Sequence, residues 1–194
     1  MKQTALLILL MCVCVFGKTP KLNITTKNWS AGEQKRKAQI QRLADQHDLT
    51  KYTITRDIVI DQTAINHSSP VLTLNLRFLD NDDRALSIYI HEQAHWLLMT
   101  RYHTQTRDMF AELARLYPNI RINPPYGDGN TRTSYMHLPV IMLEWQALEE
   151  LIGAKRARAV LEYKLQDNYK DLFTTVLDHR PQMEEFLKRY GVKW

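Results

Sequence analysis

The sequence predicts an α+β fold, predominantly helical: a small sheet, then a helix carrying a histidine pair, then a helical C-terminal half. Three observations predict it. Apolar and β-branched residues alternate over Tyr52–Ile60 and recur over Val71–Leu76. Apolar residues at helical spacing fill long stretches from Ala85 onward, bounded by cap residues, Gly and Pro. No repeat or low-complexity linker interrupts the 194 residues, so 18–194 reads as one domain with a sizeable core.

The chain starts with Met1-Lys2-Gln3 and an apolar run from Thr4 to Phe16. One positive charge followed by about a dozen apolar residues is a secretory signal pattern, short of the ~20 that span a bilayer. The small residues Val15 and Gly17 suit cleavage after Gly17. Residues 1–17 are thus expected to be a signal peptide, and the protein secreted or periplasmic. An uncleaved membrane anchor is the alternative, and no other membrane contact is expected. Cys12 and Cys14 both lie in this segment. Residues 18–194 therefore need no disulfide and offer no thiolate to a metal or a nucleophilic mechanism.

Ser30, with Glu33 three residues on, forms a capping-box pattern for a helix to about Asp48, with Ile40, Leu43 and Ala44 facing inward. Asp57-Ile-Val-Ile-Asp61 is a strand candidate, and Val71–Leu76 a second. Asn66-His-Ser-Ser-Pro70 reads as a turn between them, so the two are expected to pair as a hairpin, a longer connection being the alternative. Val71–Leu76 is also a candidate edge for an extended peptide. Asp80-Asn-Asp-Asp83 supplies caps for the next helix, expected to reach about Arg101. Thr106–Tyr117 is helical and Pro118 stops it. Residues 119–136, with Pro124-Pro125-Tyr-Gly-Asp-Gly129, carry no apolar period and read as a long loop. A helix follows from about Leu138, with Pro139 in its first turn, ending near Gly153. Helices at about 154–166, 168–179 and 181–190 complete the chain.

The formal charge is +5, and removing residues 1–17 takes away only Lys2. The remaining positives are dispersed beside acids, as in Glu33-Gln-Lys-Arg-Lys37, with no aromatic-interleaved basic stripe. This pattern is a solvated helix surface, and nucleic-acid binding is not expected.

The chemistry is concentrated in His91-Glu92-Gln93-Ala94-His95. On a helix, residues i and i+4 share one face about 6 Å apart. Two imidazoles so placed can share one zinc ion, Zn2+, while Glu92 reaches a metal-held water without being a ligand. The flanks, from Ala85 to Met99, are apolar around most of the circumference, so the segment should be buried. Buried histidines and a glutamate need partners. A satisfied polar core is the bland alternative to a metal.

A catalytic zinc takes three protein ligands and leaves one position open. His103 lies too near His95 to fold back, and His47, His67 and His179 stand in polar or turn contexts that read as surface. His137 and Glu144 remain, seven residues apart on one face of an apolar helix. Either His137 is the third ligand and Glu144 accepts the free N–H of His91 or His95, or Glu144 binds the metal and His137 faces substrate. The first arrangement is preferred. Tyr135 could donate to a developing oxyanion, or simply pack over the site. Glu112, Glu149 and Glu150 read as helix-surface carboxylates, and Trp96 and Trp145 as core aromatics near the site helices.

At this point the chain resembles the zincin superfamily of metallopeptidases, whose signature helix carries H-E-x-x-H. The strict match covers His91–His95, and the order strand, motif helix, loop, second ligand-bearing helix is similar over about 52–152. The resemblance implies His91 and His95 as zinc ligands and Glu92 as general base. It is gluzincin-like, because Leu98 and Arg101 stand where metzincins have Gly and His. The thermolysin-like N-E-x-x-S-D segment is absent. Tyr-x-His-Leu-x-Val-x-x-Leu-Glu over 135–144 is similar to a segment of secreted bacterial proteins with an H-E-x-x-H-W helix. The expected function is zinc-dependent hydrolysis of a peptide or protein substrate. The rivals are a zinc amidase acting on cell-wall fragments and a non-catalytic, zinc-stabilised binding protein.

Overall fold

The computed structural model describes residues 21–194. The signal segment expected at 1–17, with both cysteines, lies outside them. Among the described residues the fold is the predicted one, mainly helical α+β. The elements are β1 (Asn23–Thr26), α1 (Ala31–Gln46), β2 (Asp57–Ile60), β3 (Leu72–Leu74), α2 (Asp82–Arg101), α3 (Thr106–Leu116), α4 (Thr131–Ile152), α5 (Ala154–Lys164), α6 (Lys170–Asp178) and α7 (Arg180–Arg189). No described helix is long and apolar enough to cross a membrane.

The sheet has the order β1-β2-β3, and both pairings are parallel, with Ile24 beside Ile58 and Ile58 beside Leu72. Parallel strands are buried on both faces by helices, which suits the apolar run Ile58, Ile60, Leu72 and Leu74. The expected hairpin between the second and third of these strands is therefore corrected. The chain leaving β2 passes the sheet edge and turns back only at 66–70. There His67 pairs antiparallel with Thr73, donating to its carbonyl (3.1 Å) and accepting from its N–H (2.8 Å). The turn was legible, but it joins β3 to one bridge residue and not to β2. The same bridge covers the outer edge of β3 at Thr73, so Val71–Leu76 is not the free edge it seemed in sequence. β1 was not foreseen, because a four-residue strand with one apolar residue gives too short an alternation.

Helix α1 is capped as expected. The Ser30 hydroxyl accepts from the Glu33 N–H (3.2 Å). The Glu33 carboxylate in return faces the Ser30 N–H, which, against the effect of burial, helps to lower its pKa. It accepts from the Asn28 N–H (2.8 Å) and the Gln62 N–H (3.1 Å), tying two loops together. Gln93, within the motif, accepts from the N–H groups of Ile54 (2.8 Å) and Thr55 (3.0 Å) and donates to the Thr55 carbonyl (2.8 Å). It clamps the segment before β2 onto α2.

Helix α4 is the central post. It packs against α2, α3, α5, α6 and α7, and most of its length is buried. It begins at Thr131, capped by the Asn130 side chain on the Thr133 N–H (3.1 Å), two turns earlier than expected. Pro139 consequently sits in the helix interior and not in the first turn. It cannot donate to the Tyr135 carbonyl, a helical bond lost inside a buried segment. The polar N-terminal turns of α4 masked it in sequence, because Thr-Arg-Thr-Ser carries no apolar stripe.

Candidate metal centre

Two helices supply the centre. His91 and His95 project from adjacent turns of α2, and His137 from α4. One nitrogen from each ring lies within 4.8 Å of the others, and the three could together hold a metal ion. His91 and His137 are buried. The Nε2 atoms of His91 and His95 are 3.3 Å apart. Tetrahedral zinc with bonds of about 2.05 Å sets its ligand nitrogens about 3.3–3.4 Å apart, so this spacing fits.

The rings are held by their other nitrogens. His91 Nδ1 donates to Glu144 Oε2 at 2.8 Å, and His137 Nδ1 donates to the Thr133 carbonyl at 2.8 Å. A carboxylate and a carbonyl only accept, so both Nδ1 atoms carry a proton, and in the neutral rings both Nε2 atoms present lone pairs. This is the tautomer a metal requires, set by partners behind the rings. Burial lowers His95 well below its ordinary value, with the charges of His137 and His91 adding to it. Burial, with His91, also lowers His137, to about 4. Neutral imidazoles are the form that binds a cation.

Glu144 is fully buried yet ionised. Burial pushes it up, but the Lys164 ammonium and the bond from His91 outweigh this and hold it at about 2. Lys164 Nζ (2.5 Å) and Ser87 Oγ (2.5 Å) both donate to Oε1, leaving Oε2 for His91. So His137 joins the histidine group, and Glu144 stands behind His91, the preferred of the two arrangements. Glu92 is buried beside the group, and burial raises its carboxyl above its ordinary value.

Tyr135 is turned elsewhere. Its hydroxyl donates to the Tyr117 carbonyl (2.7 Å), and its ring meets Phe110 edge-on. The reason is the early start of α4. With both residues helical, Tyr135 lies two positions before His137 and points to the opposite side. The phenol beside the site is Tyr169, whose ring lies 4.7 Å from that of His137 and whose hydroxyl donates to Asp128 Oδ1 (3.1 Å). Burial, then Asp128, pushes that hydroxyl up, so it stays a donor. Tyr169 holds a left-handed backbone (φ 62°) at the start of α6, a conformation costly for an aromatic residue and one that aims its ring inward.

The group opens into a cavity of about 690 Å³. Glu92, His67, Asp128, Lys164 and Tyr169 line it with the three histidines. Four of these five were not foreseen. His67 read as a turn residue, and only the bridge to Thr73 brings it to the wall. Asp128, Lys164 and Tyr169 arrive from loops and a helix end that carry no local signal. The other carboxylates do lie away from the centre: Glu149 pairs with Arg180, Glu150 with Lys51 and Glu112 with Arg189. Trp145 is buried and Trp96 partly so, as expected of core aromatics. No protein-family model matches the chain, and no curated protein and no solved structure matches it either, so the chemistry of the site rests on its own geometry.

Proposed function

We propose that this protein is a zinc-dependent hydrolase that cleaves peptide bonds. The observation that carries the reading is the convergence of three imidazole nitrogens, two of them fixed in the metal-binding tautomer, beside a buried carboxylate in an accessible cavity. Three neutral nitrogens with no thiolate suit a zinc that retains an open position. Bound there, zinc would supply Lewis acidity to a carbonyl oxygen and a water whose pKa falls toward ~7.

The chain's own groups supply the rest. Glu92, raised by burial, takes a proton from the attacking water and returns it to the leaving nitrogen. The water oxygen bonds to the carbonyl carbon, the C–N bond breaks, and a carboxylic acid and an amine result, the acid's proton passing on to give carboxylate and ammonium. The Tyr169 hydroxyl lines the same cavity and, by exchanging Asp128 Oδ1 for the substrate's carbonyl oxygen, would donate to it as charge develops there. At the His67–Thr73 bridge, strand alternation turns the N–H and C=O groups of Asn66 and Ser68 away from β3. That edge borders the cavity and suits the backbone of an extended peptide. A secreted or periplasmic setting is proposed on the residues 1–17 alone.

The test is Glu92→Gln. Zinc content by elemental analysis should be unchanged, and peptide hydrolysis should fall about 10²–10⁴-fold, as for loss of a general base. Undiminished hydrolysis would remove Glu92 from its role.

A further inference from the structure

We infer that the substrate is an extended polypeptide segment bearing apolar side chains, cut at an internal bond; this rests on the hydrolase reading above. The cavity extends along α2 on both sides of the histidines. Its wall includes Ile88, a turn before His91, and Leu98 and Met99, a turn after His95. At 1.5 Å per residue, Ile88 to Met99 covers about 16 Å of helix. An extended chain rises about 3.3 Å per residue, so about five residues fit along this length. The histidines stand near its middle.

Exposed polar residues mark both ends. At the end nearer the α2 N-terminus, Arg77 pairs with Asp167 (2.6 Å), and both are partly exposed. At the other end, where α3 begins, Arg132 donates to Thr106 Oγ1 (3.1 Å), and Arg132 is exposed. Each end is framed by a hydrogen-bonded pair with an exposed arginine, and no buried residue of either pair stands across it. A chain can therefore enter and leave on either side of the histidines. An enzyme that removes terminal residues needs one closed end with a charge to hold the terminus.

The occupant's side chains are read from exposed apolar residues. Ile65 is 79% exposed and Met99 is 42% exposed, and both line this groove. Large apolar side chains left open beside a cavity mark a surface that an apolar partner covers. Met99 and Met136 flank the side of the groove beyond His95 and His137, with Leu98 beneath. Unbranched thioethers adapt to apolar residues of different shape.

The zinc-loaded full chain should be given peptides blocked at both ends by acetyl and amide groups, carrying an internal fluorophore–quencher pair, beside the same peptides with free ends. Cleavage of the blocked peptides within a few-fold of the free ones, at bonds flanked by Leu, Met or Phe, is expected. Met99→Lys and Met136→Lys should each lower kcat/KM for apolar peptides at least tenfold and raise the relative rate for acidic ones, at unchanged zinc content. Met99 is partly exposed, so its variant folds even if the Met136 variant does not. Hydrolysis confined to free-ended peptides would overturn the internal-cleavage inference and leave the hydrolase reading standing. An unchanged side-chain preference in the Met99 variant would overturn the apolar subsite. No hydrolysis of any peptide would overturn both readings.

Discussion

Two residues behind the histidines decide whether the rings can serve a cation. Glu144 fixes the tautomer of His91, and Lys164 fixes Glu144. His137→Ala should abolish stoichiometric zinc binding, because it removes a nitrogen from the group. Glu144→Gln should keep the zinc but weaken it about 10–100-fold, the usual loss when the partner of a ligating imidazole is removed. It should also lower stability by about 3–5 kcal/mol, because it leaves Lys164 buried without its counter-charge. Chelator competition and denaturant melts on the two variants check both statements. Equal zinc loss in both would put Glu144 on the metal. At this scale the sequence was informative about α2 and α4 and silent about the rest. His91, Glu92, His95, His137 and Glu144 follow from helical spacing within two segments. Lys164 and Tyr169 belong to the site only because α5 and α6 pack on α4, which no local pattern encodes.

Among the elements, the N-terminal turns of α4 matter most, since the Thr133 carbonyl that orients His137 lies in the first turn. The Asn130 side chain closes that turn. Asn130→Ala should therefore reduce stability by about 0.5–2 kcal/mol. It should also weaken zinc binding, whereas Asn130→Asp restores both; a variant with altered melting but unaltered zinc affinity would uncouple the cap from His137. Sequence placed this helix start too late, because caps and polar first turns look like loop until the apolar stripe begins. The sheet shows a related limit. Alternation located β2 and β3, but pairing direction depends on where the connecting chain crosses, and that is tertiary. The join between α1 and α2 is electrostatic at its rim. Arg42 donates to both Asp82 oxygens (2.7 and 2.8 Å) and, against the effect of burial, holds that carboxyl at about 2. Its proton affinity is thus lower in the folded chain than in the unfolded one. The stability it contributes is complete above the unfolded value of about 3.9 and is lost as pH falls from there through about 2. Acid melts should show this loss between pH 4 and pH 2, and Asp82→Asn should make it shallower while leaving zinc affinity at neutral pH unchanged.

The molecule as a whole separates its core from its metal centre. The buried apolar residues form one cluster running from Leu22 on the sheet side to Val192 near the C-terminus. The histidines stand at the cavity wall beside this cluster and are not members of it. On the proposed reading the zinc is catalytic and not structural, and the two predict different responses to its removal. A structural zinc folds its domain, and removing it unfolds the chain. Here the helices should persist without metal. Chelation should leave the far-ultraviolet circular dichroism of the purified protein nearly unchanged at 25 °C. Zinc should still stabilise the fold by mass action, by about 4 kcal/mol when free metal exceeds Kd a thousandfold. For a chain of this size that is roughly 8–16 °C in Tm. Restoring zinc to the chelated protein should recover both the Tm and the hydrolysis in the same titration. Loss of helix signal on chelation would instead make the metal part of the fold, and the second of the rival readings, a zinc-stabilised binding protein, would then replace the hydrolase.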